Sequence, residues 1–192
     1  VLFNKHWDLV GTHAMFSASN YHWINYSDDK FDHAFSTATA AQMGTLLHDH
    51  ASRSITRRIF VSEDPRHMEH PYQATMALYI NDAIEFGMTP EQVLFYSPNF
   101  YGTADAIGFR DRFLRIHDLK TGVARTSEKQ LYVYAAYFCL EYEMNPYEIQ
   151  TELRIYQNDE VRIYPADPDL IQYIMDKVVA FNERIEARKS QA

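Results

Sequence analysis

The chain has 192 residues, 46% of them hydrophobic and 23% charged, enough apolar material for one domain or one domain with a helical extension and too little charge for wholesale disorder. One cysteine, Cys139, excludes a disulfide framework, a four-cysteine zinc site and an iron–sulfur cluster, so any metal must be held by oxygen and imidazole. The net charge of -8 argues against coating nucleic acid by charge alone, but not against an enzyme with a local basic groove. No run approaches the roughly 18 apolar residues of a membrane span. The first residues lack a basic stretch followed by an apolar one, so no signal peptide is expected, and a reducing cytoplasm is the compartment expected.

In chain order, the first third reads as helical. Thr39-Ala40-Ala41-Gln42 has the form of a capping box, with apolar positions following at Met43, Leu46, Leu47, Ala51 and Ile55. A charged, proline-containing loop spans Glu63 to Pro71. Met76, Tyr79, Ile80, Ala83 and Ile84 then mark a second helix closed by Gly87. The period changes after that. Val93 to Tyr96, Gly102 to Phe109 and Phe113 to Lys120 read as strands, the last two joined by Arg110-Asp111-Arg112. Ser127-Glu128-Lys129-Gln130 caps a helix reaching about Tyr142. Ile149, Thr151, Leu153 and Ile155 alternate as a strand, Asn158-Asp159 turns the chain, and Val161 to Tyr164 returns it. Pro168 opens a final amphipathic helix with Leu170, Ile171, Ile174, Met175, Val178 and Ile185 on its apolar side. Helices, three strands, a helix, two strands and a helix predict an α/β or α+β fold, a mixed sheet flanked by helices. Residues 1–90 are mainly helical and residues 91–192 carry the sheet.

Two acids stand in strand-like runs, Asp105 and Asp118. Side chains alternate along a strand, so Lys120 shares a face with Asp118, with Ile116 and Leu114 behind them. If the hairpin loop has four residues, Phe109 pairs with Leu114 and Asp105 lies opposite Asp118, near enough for both carboxylates to hold one hard cation. A three-residue loop would put them on opposite faces. Such an ion lowers the pKa of a bound water and stabilises charge on phosphorus, and a lysine beside it orients the water or neutralises that charge. Each element has a plainer reading alone. Asp105, Asp118 and Lys120 can be surface charges, His48 a surface or core histidine, Gln130 the capping partner of Ser127, and Tyr134 a core residue.

Taken in order, Gly44-x-x-x-His48, Gly102-x-x-Asp105, Asp118-x-Lys120-Thr121-Gly122 and Gln130-x-x-x-Tyr134 resemble the RecB-like branch of the PD-(D/E)XK nuclease superfamily. The likeness covers roughly residues 40 to 165. The segment Phe16 to Trp23 also looks like the start of phage-encoded members. The resemblance implies a restriction-endonuclease-like core in a single nuclease domain over 1–192, with a helical N-terminal extension. It implies Mg²⁺ or Mn²⁺ held by His48, Asp105, Asp118 and the Leu119 carbonyl, with Lys120 assisting the water. Gln130 and Tyr134 would support the catalytic strand or contact the scissile one. Asp118 stands where many relatives carry glutamate. The single cysteine sets the chain apart from the iron–sulfur members and favours the simple phage recombination-type exonucleases.

DNA is the partner so implied, with a homo-oligomer that encloses the strand, a single-strand annealing protein as companion, and the host cytoplasm as location if the chain is phage-encoded. Arg125 and Lys129, at the helix after the catalytic strand, and Arg53, Arg57 and Arg58, beyond His48, are candidate phosphate contacts, although each also reads as a solvated surface charge. Without a base-reading module, a requirement for a free end is the simplest restraint on such an enzyme. The alternatives are a sequence-tolerant endonuclease or flap nuclease, a nuclease-fold binding module without activity, and a hydrolase of small phosphate esters. The last lacks any P-loop.

Overall fold

The computed structural model describes Leu9, residues 14–70 and residues 72–191. The chain divides into two compact units, Val1–Thr45 and Leu46–Ala192. Helix α1, Asp28–Arg57, runs through the division.

In the first unit a 3-10 segment, Ala18–Asn25, is capped by Ser17, whose side chain accepts from the Asn20 N–H. The Trp23 indole donates to the Ser17 carbonyl at 2.9 Å, and Phe16 stacks on Phe31 with centroids 4.8 Å apart. Helix α1 starts well before the expected capping box at Thr39. Ser27 opens it, accepting from Lys30 N–H with its hydroxyl and from Phe31 N–H with its carbonyl, and Asp28 and Asp29 complement the positive end of the helix. Thr37 and Thr45 are accommodated in the interior by bonding back to the carbonyls four residues earlier.

In the second unit, Ala51, Ser54 and Ile55 are the buried residues of α1. Helix α2, Tyr72–Glu85, ends as expected at Gly87, whose φ of 65° lets Met88 N–H reach the Ala83 carbonyl. The loop before it contains a 3-10 turn, Pro65–His67; Pro71 lies outside the described residues. The strands are β1 Thr89–Ser97, β2 Phe100–Arg110, β3 Phe113–Leu119, β4 Gln150–Gln157 and β5 Glu160–Pro165. They form one sheet in chain order, antiparallel except for the parallel pair β3–β4, whose crossover contains α3, Lys129–Glu141. Asp111-Arg112 and Asn158-Asp159 make the two tight hairpin turns, all four residues having positive φ. Helix α4, Pro168–Lys189, closes the chain.

The protein is α+β, a five-stranded mixed sheet flanked by helices. One core gathers Leu94, Leu114, Ile116, Leu153 and Ile155 with Leu131, Ala135 and Phe138 of α3 and Ile171 and Val178 of α4. The other gathers Ala106, Leu119 and Tyr156 with Ala51 and Ile55 of α1 and Met76, Tyr79, Ile80 and Ile84 of α2. Each large apolar side chain so buried stabilises the fold by about 1.5–3 kcal/mol. On α4, Leu170 is exposed rather than apolar-side core; it stands one residue from buried Ile171 and so about 100° around the helix. Among the described residues no helix is long and apolar enough to cross a membrane.

One departure from regular pleating matters for the site. Ala104 and Ala106 are two apart on β2, yet they belong to different cores; Leu94 of β1 and Met88, just before that strand, divide the same way. The β1–β2 ribbon therefore turns over between Gln92↔Ala104 and Pro90↔Ala106. The two residues at that turnover are Glu91, with φ of 50°, and Asp105.

Candidate active site

The β2–β3 register pairs Phe109 with Leu114, as the expected geometry requires. The loop is two residues rather than four, because Arg110 and Phe113 also pair, and the parity is unchanged. The last paired rung toward the strand end is Ala106↔His117, and the next residues along are Asp105 and Asp118.

Asp118 is only 3% exposed. The Lys120 ammonium donates to its Oδ1 at 2.9 Å and to Gln130 Oε1 at 3.2 Å. Gln130 Nε2 in turn donates to the Tyr134 hydroxyl at 2.9 Å. Gln130 is thus turned toward the lysine and does not close a capping box with Ser127, whose hydroxyl instead accepts from Lys129 N–H. The Tyr134 ring lies against Gly102, where an added Cβ would come within 3.0 Å of the ring. The glycine of the Gly102-x-x-Asp105 pattern has its physical reason there: it leaves room for the tyrosine. The other Asp118 oxygen, Oδ2, is buried and without a hydrogen-bond partner.

Asp105 faces two ways. Its Oδ2 accepts from Leu119 N–H at 2.8 Å, and its Oδ1 lies 3.6 Å from His48 Nδ1 on α1. Burial, and then the charge of Asp118, push the Asp105 carboxyl up to about 7, outweighing the Leu119 N–H and the Lys120 charge, which act the other way. Nearby Glu91 places Oε1 3.9 Å from the same His48 nitrogen. Its carboxyl is raised by burial and by Asp105, and lowered by His48. Beneath them, buried Tyr79 has its hydroxyl raised by desolvation and further by Asp105, Glu91 and Asp118.

The loop after β3 is tied to the last two strands. Gln157 donates to the Gly122 and Ala124 carbonyls, Asn158 to Val123 and Arg162 to Thr126. Between this loop and α2 lies a hollow of about 360 Å³, lined by Tyr72, Thr75, Met76, Leu119 and Lys120 among others.

His48, Asp105, Asp118, Leu119, Lys120, Gln130 and Tyr134 thus gather in one place. Among the described residues no hydrogen bond or ion pair joins Arg53, Arg57, Arg125 or Lys129 to them. Arg53 is paired with Asp49 one turn back on α1, and Arg57, Arg125 and Lys129 are exposed. Glu91 was not among the expected site residues. It precedes the run that reads as a strand, and its left-handed backbone is not a conformation that sequence assigns to glutamate.

These residues suit a divalent cation. Among the described residues His48, Glu91 and Asp105 offer one donor atom each within 4.8 Å of one another, a group that does not include Asp118; burial and then Asp118 raise Asp105, burial and then Asp105 raise Glu91, and the buried Asp118 Oδ2 lacks a partner. No protein-family model, curated protein or solved structure matches the chain.

Proposed function

We propose that the protein is a divalent-metal-dependent nuclease with a PD-(D/E)XK-type core, hydrolysing DNA phosphodiester bonds from strand ends. The observation that carries this reading is the set formed by Asp105, Asp118 and Lys120. Two acids follow the same paired rung of adjacent strands, and a lysine ammonium is held 2.9 Å from the more buried one. The antiparallel hairpin that carries them, followed by a helical crossover to a parallel strand, supports the core assignment.

In this reading His48, Asp105, Asp118 and the Leu119 carbonyl hold Mg²⁺ or Mn²⁺. A cation so bound supplies Lewis acidity toward water and toward a phosphate oxygen. Lys120 keeps a positive charge at the same place, fixed by Asp118 and Gln130, where it orients water or offsets charge gathering on the phosphate. Tyr134, packed on Gly102, holds Gln130 toward the lysine. In this reading Lys129, the first residue of α3, and Arg125, in the loop before it, both exposed, meet phosphates. The end-dependent form of the reading draws on the net charge of -8, which disfavours tight nonspecific capture of internal duplex.

The test compares a relaxed, covalently closed plasmid with the same plasmid linearised, with and without Mg²⁺ or Mn²⁺. Metal-dependent loss of the linear form alone is expected. Equal degradation of both replaces the exonuclease with an endonuclease, and no degradation of either removes the nuclease reading.

A further inference from the structure

We propose that Glu91 is a direct ligand of the divalent cation, forming with His48 and Asp105 a three-donor cluster on the β1 side of the site. The inference deepens the metal-dependent reading above and rests on it. None of the recognised motifs contains Glu91; its placement is what recommends it.

His48 Nδ1 lies 3.6 Å from Asp105 Oδ1 and 3.9 Å from Glu91 Oε1, and one ligand atom from each of the three residues falls within 4.8 Å of the others. Donors at about 2.0–2.3 Å from a shared ion stand about 3 Å apart when adjacent and a little over 4 Å apart when opposed. Both histidine distances fall inside that range.

The backbone explains how a glutamate on an edge strand reaches this point. Pro90 and Gln92 pair with Ala106 and Ala104, leaving Glu91 beside Asp105, and its φ of 50° falls where the ribbon turns from one core to the other. A second observation lies outside the cluster. The Asp118 side chain, 4% exposed, has an oxygen with no partner, and Asp118 stands next to Asp105 on the neighbouring strand. A buried, unpaired carboxylate oxygen is costly unless a cation or proton satisfies it. An imidazole among carboxylates suits Mn²⁺ better than Mg²⁺, which favours oxygen and water.

The experiment is calorimetric titration of Mn²⁺ into the full chain without DNA. The wild type is compared with Glu91→Gln, Glu91→Gly and, as a control, Glu143→Gln, an exposed glutamate that also has positive φ. Glycine accepts the backbone at position 91 without strain, so that variant guards against a folding defect. At least tenfold weaker Mn²⁺ binding in both Glu91 variants, with the control at wild-type affinity, is expected. Wild-type affinity in the Glu91 variants overturns the proposal, as does a wild type that binds no Mn²⁺. The outcome separates from that of the nuclease reading. Glu91-dependent Mn²⁺ binding without DNA cleavage leaves the metal site and removes the nuclease, whereas metal-dependent cleavage with Glu91-independent binding does the reverse.

Discussion

The Asp105 carboxylate is anchored by the Leu119 amide at 2.8 Å, so the acid on β2 is tied to the backbone between Asp118 and Lys120 on β3. One oxygen is thereby committed to the neighbouring strand, and the other is directed toward His48. This link makes the two strand ends a single mechanical unit.

Asp105 gives the metal-free protein a pH signature. Its folded-state pKa of about 7 is raised from an ordinary value of 3.8, so the folded chain binds more protons than the unfolded chain between those values. The stability this contributes is complete below about pH 4 and is lost as pH rises through 7, roughly a few kcal/mol over the window. Thermal melts without metal should fall across that range, and Asp105→Asn should flatten the fall. Mn²⁺ binding should strengthen as pH rises through 7, because the ion displaces the proton. A metal-free melt unaffected by Asp105→Asn contradicts this.

Lys120→Ala should separate rate from binding. The ammonium touches Asp118 and Gln130 and is not a metal donor, so cleavage should drop by about 10²–10³-fold while Mn²⁺ still binds. Loss of the lysine also leaves buried Asp118 without its partner, so the variant should gain more thermal stability from Mn²⁺ than the wild type does. Calorimetry that finds no Mn²⁺ binding in Lys120→Ala refutes the assigned role.

His48→Ala should act on metal affinity. Removing one imidazole donor should raise the Mn²⁺ concentration for half-maximal cleavage by about tenfold, with most of the rate recovered at saturation. An unchanged metal dependence would make His48 a structural residue.

Gly102→Ala tests the line from Tyr134 to Lys120. The new Cβ meets the tyrosine ring at 3.0 Å, so the ring must move and take its bond to Gln130 with it. A stability loss of about 1–3 kcal/mol is expected, with roughly a tenfold slower reaction. Wild-type kinetics would show that Gln130 holds Lys120 without help from Tyr134.

Much of this site was legible because strand parity is a local property. Leu114 belongs to the α3-side core, Phe109 packs its ring against Phe138 of α3 from the more exposed end of the strand, and any even hairpin loop between them sets Asp105 beside Asp118. Gly87 and Pro168 likewise marked helix ends through backbone constraints that only those residues impose. Glu91 was hidden for the opposite reason. Its place depends on the β1–β2 register, on an irregular connection between Phe95 and Phe100, and on the turnover of the ribbon, none of which has a local signature. The start of α1 was misplaced because Thr39 and Gln42 imitate a cap, while Ser27, Asp28 and Asp29 provide the real one in a stretch whose helical face buries nothing. Leu170 was misassigned by hydrophobicity alone, since the first turn of α4 buries Ile171 instead.

The most direct test of the central claim is the rate of nucleotide release from end-labelled linear duplex in Mn²⁺, for the wild type and for Asp118→Ala and Asp105→Ala. Release by the wild type that is abolished by a chelator is expected, with a loss of at least about 10³-fold in both folded variants. Wild-type rates in either variant, or release that persists without a divalent metal, would contradict it.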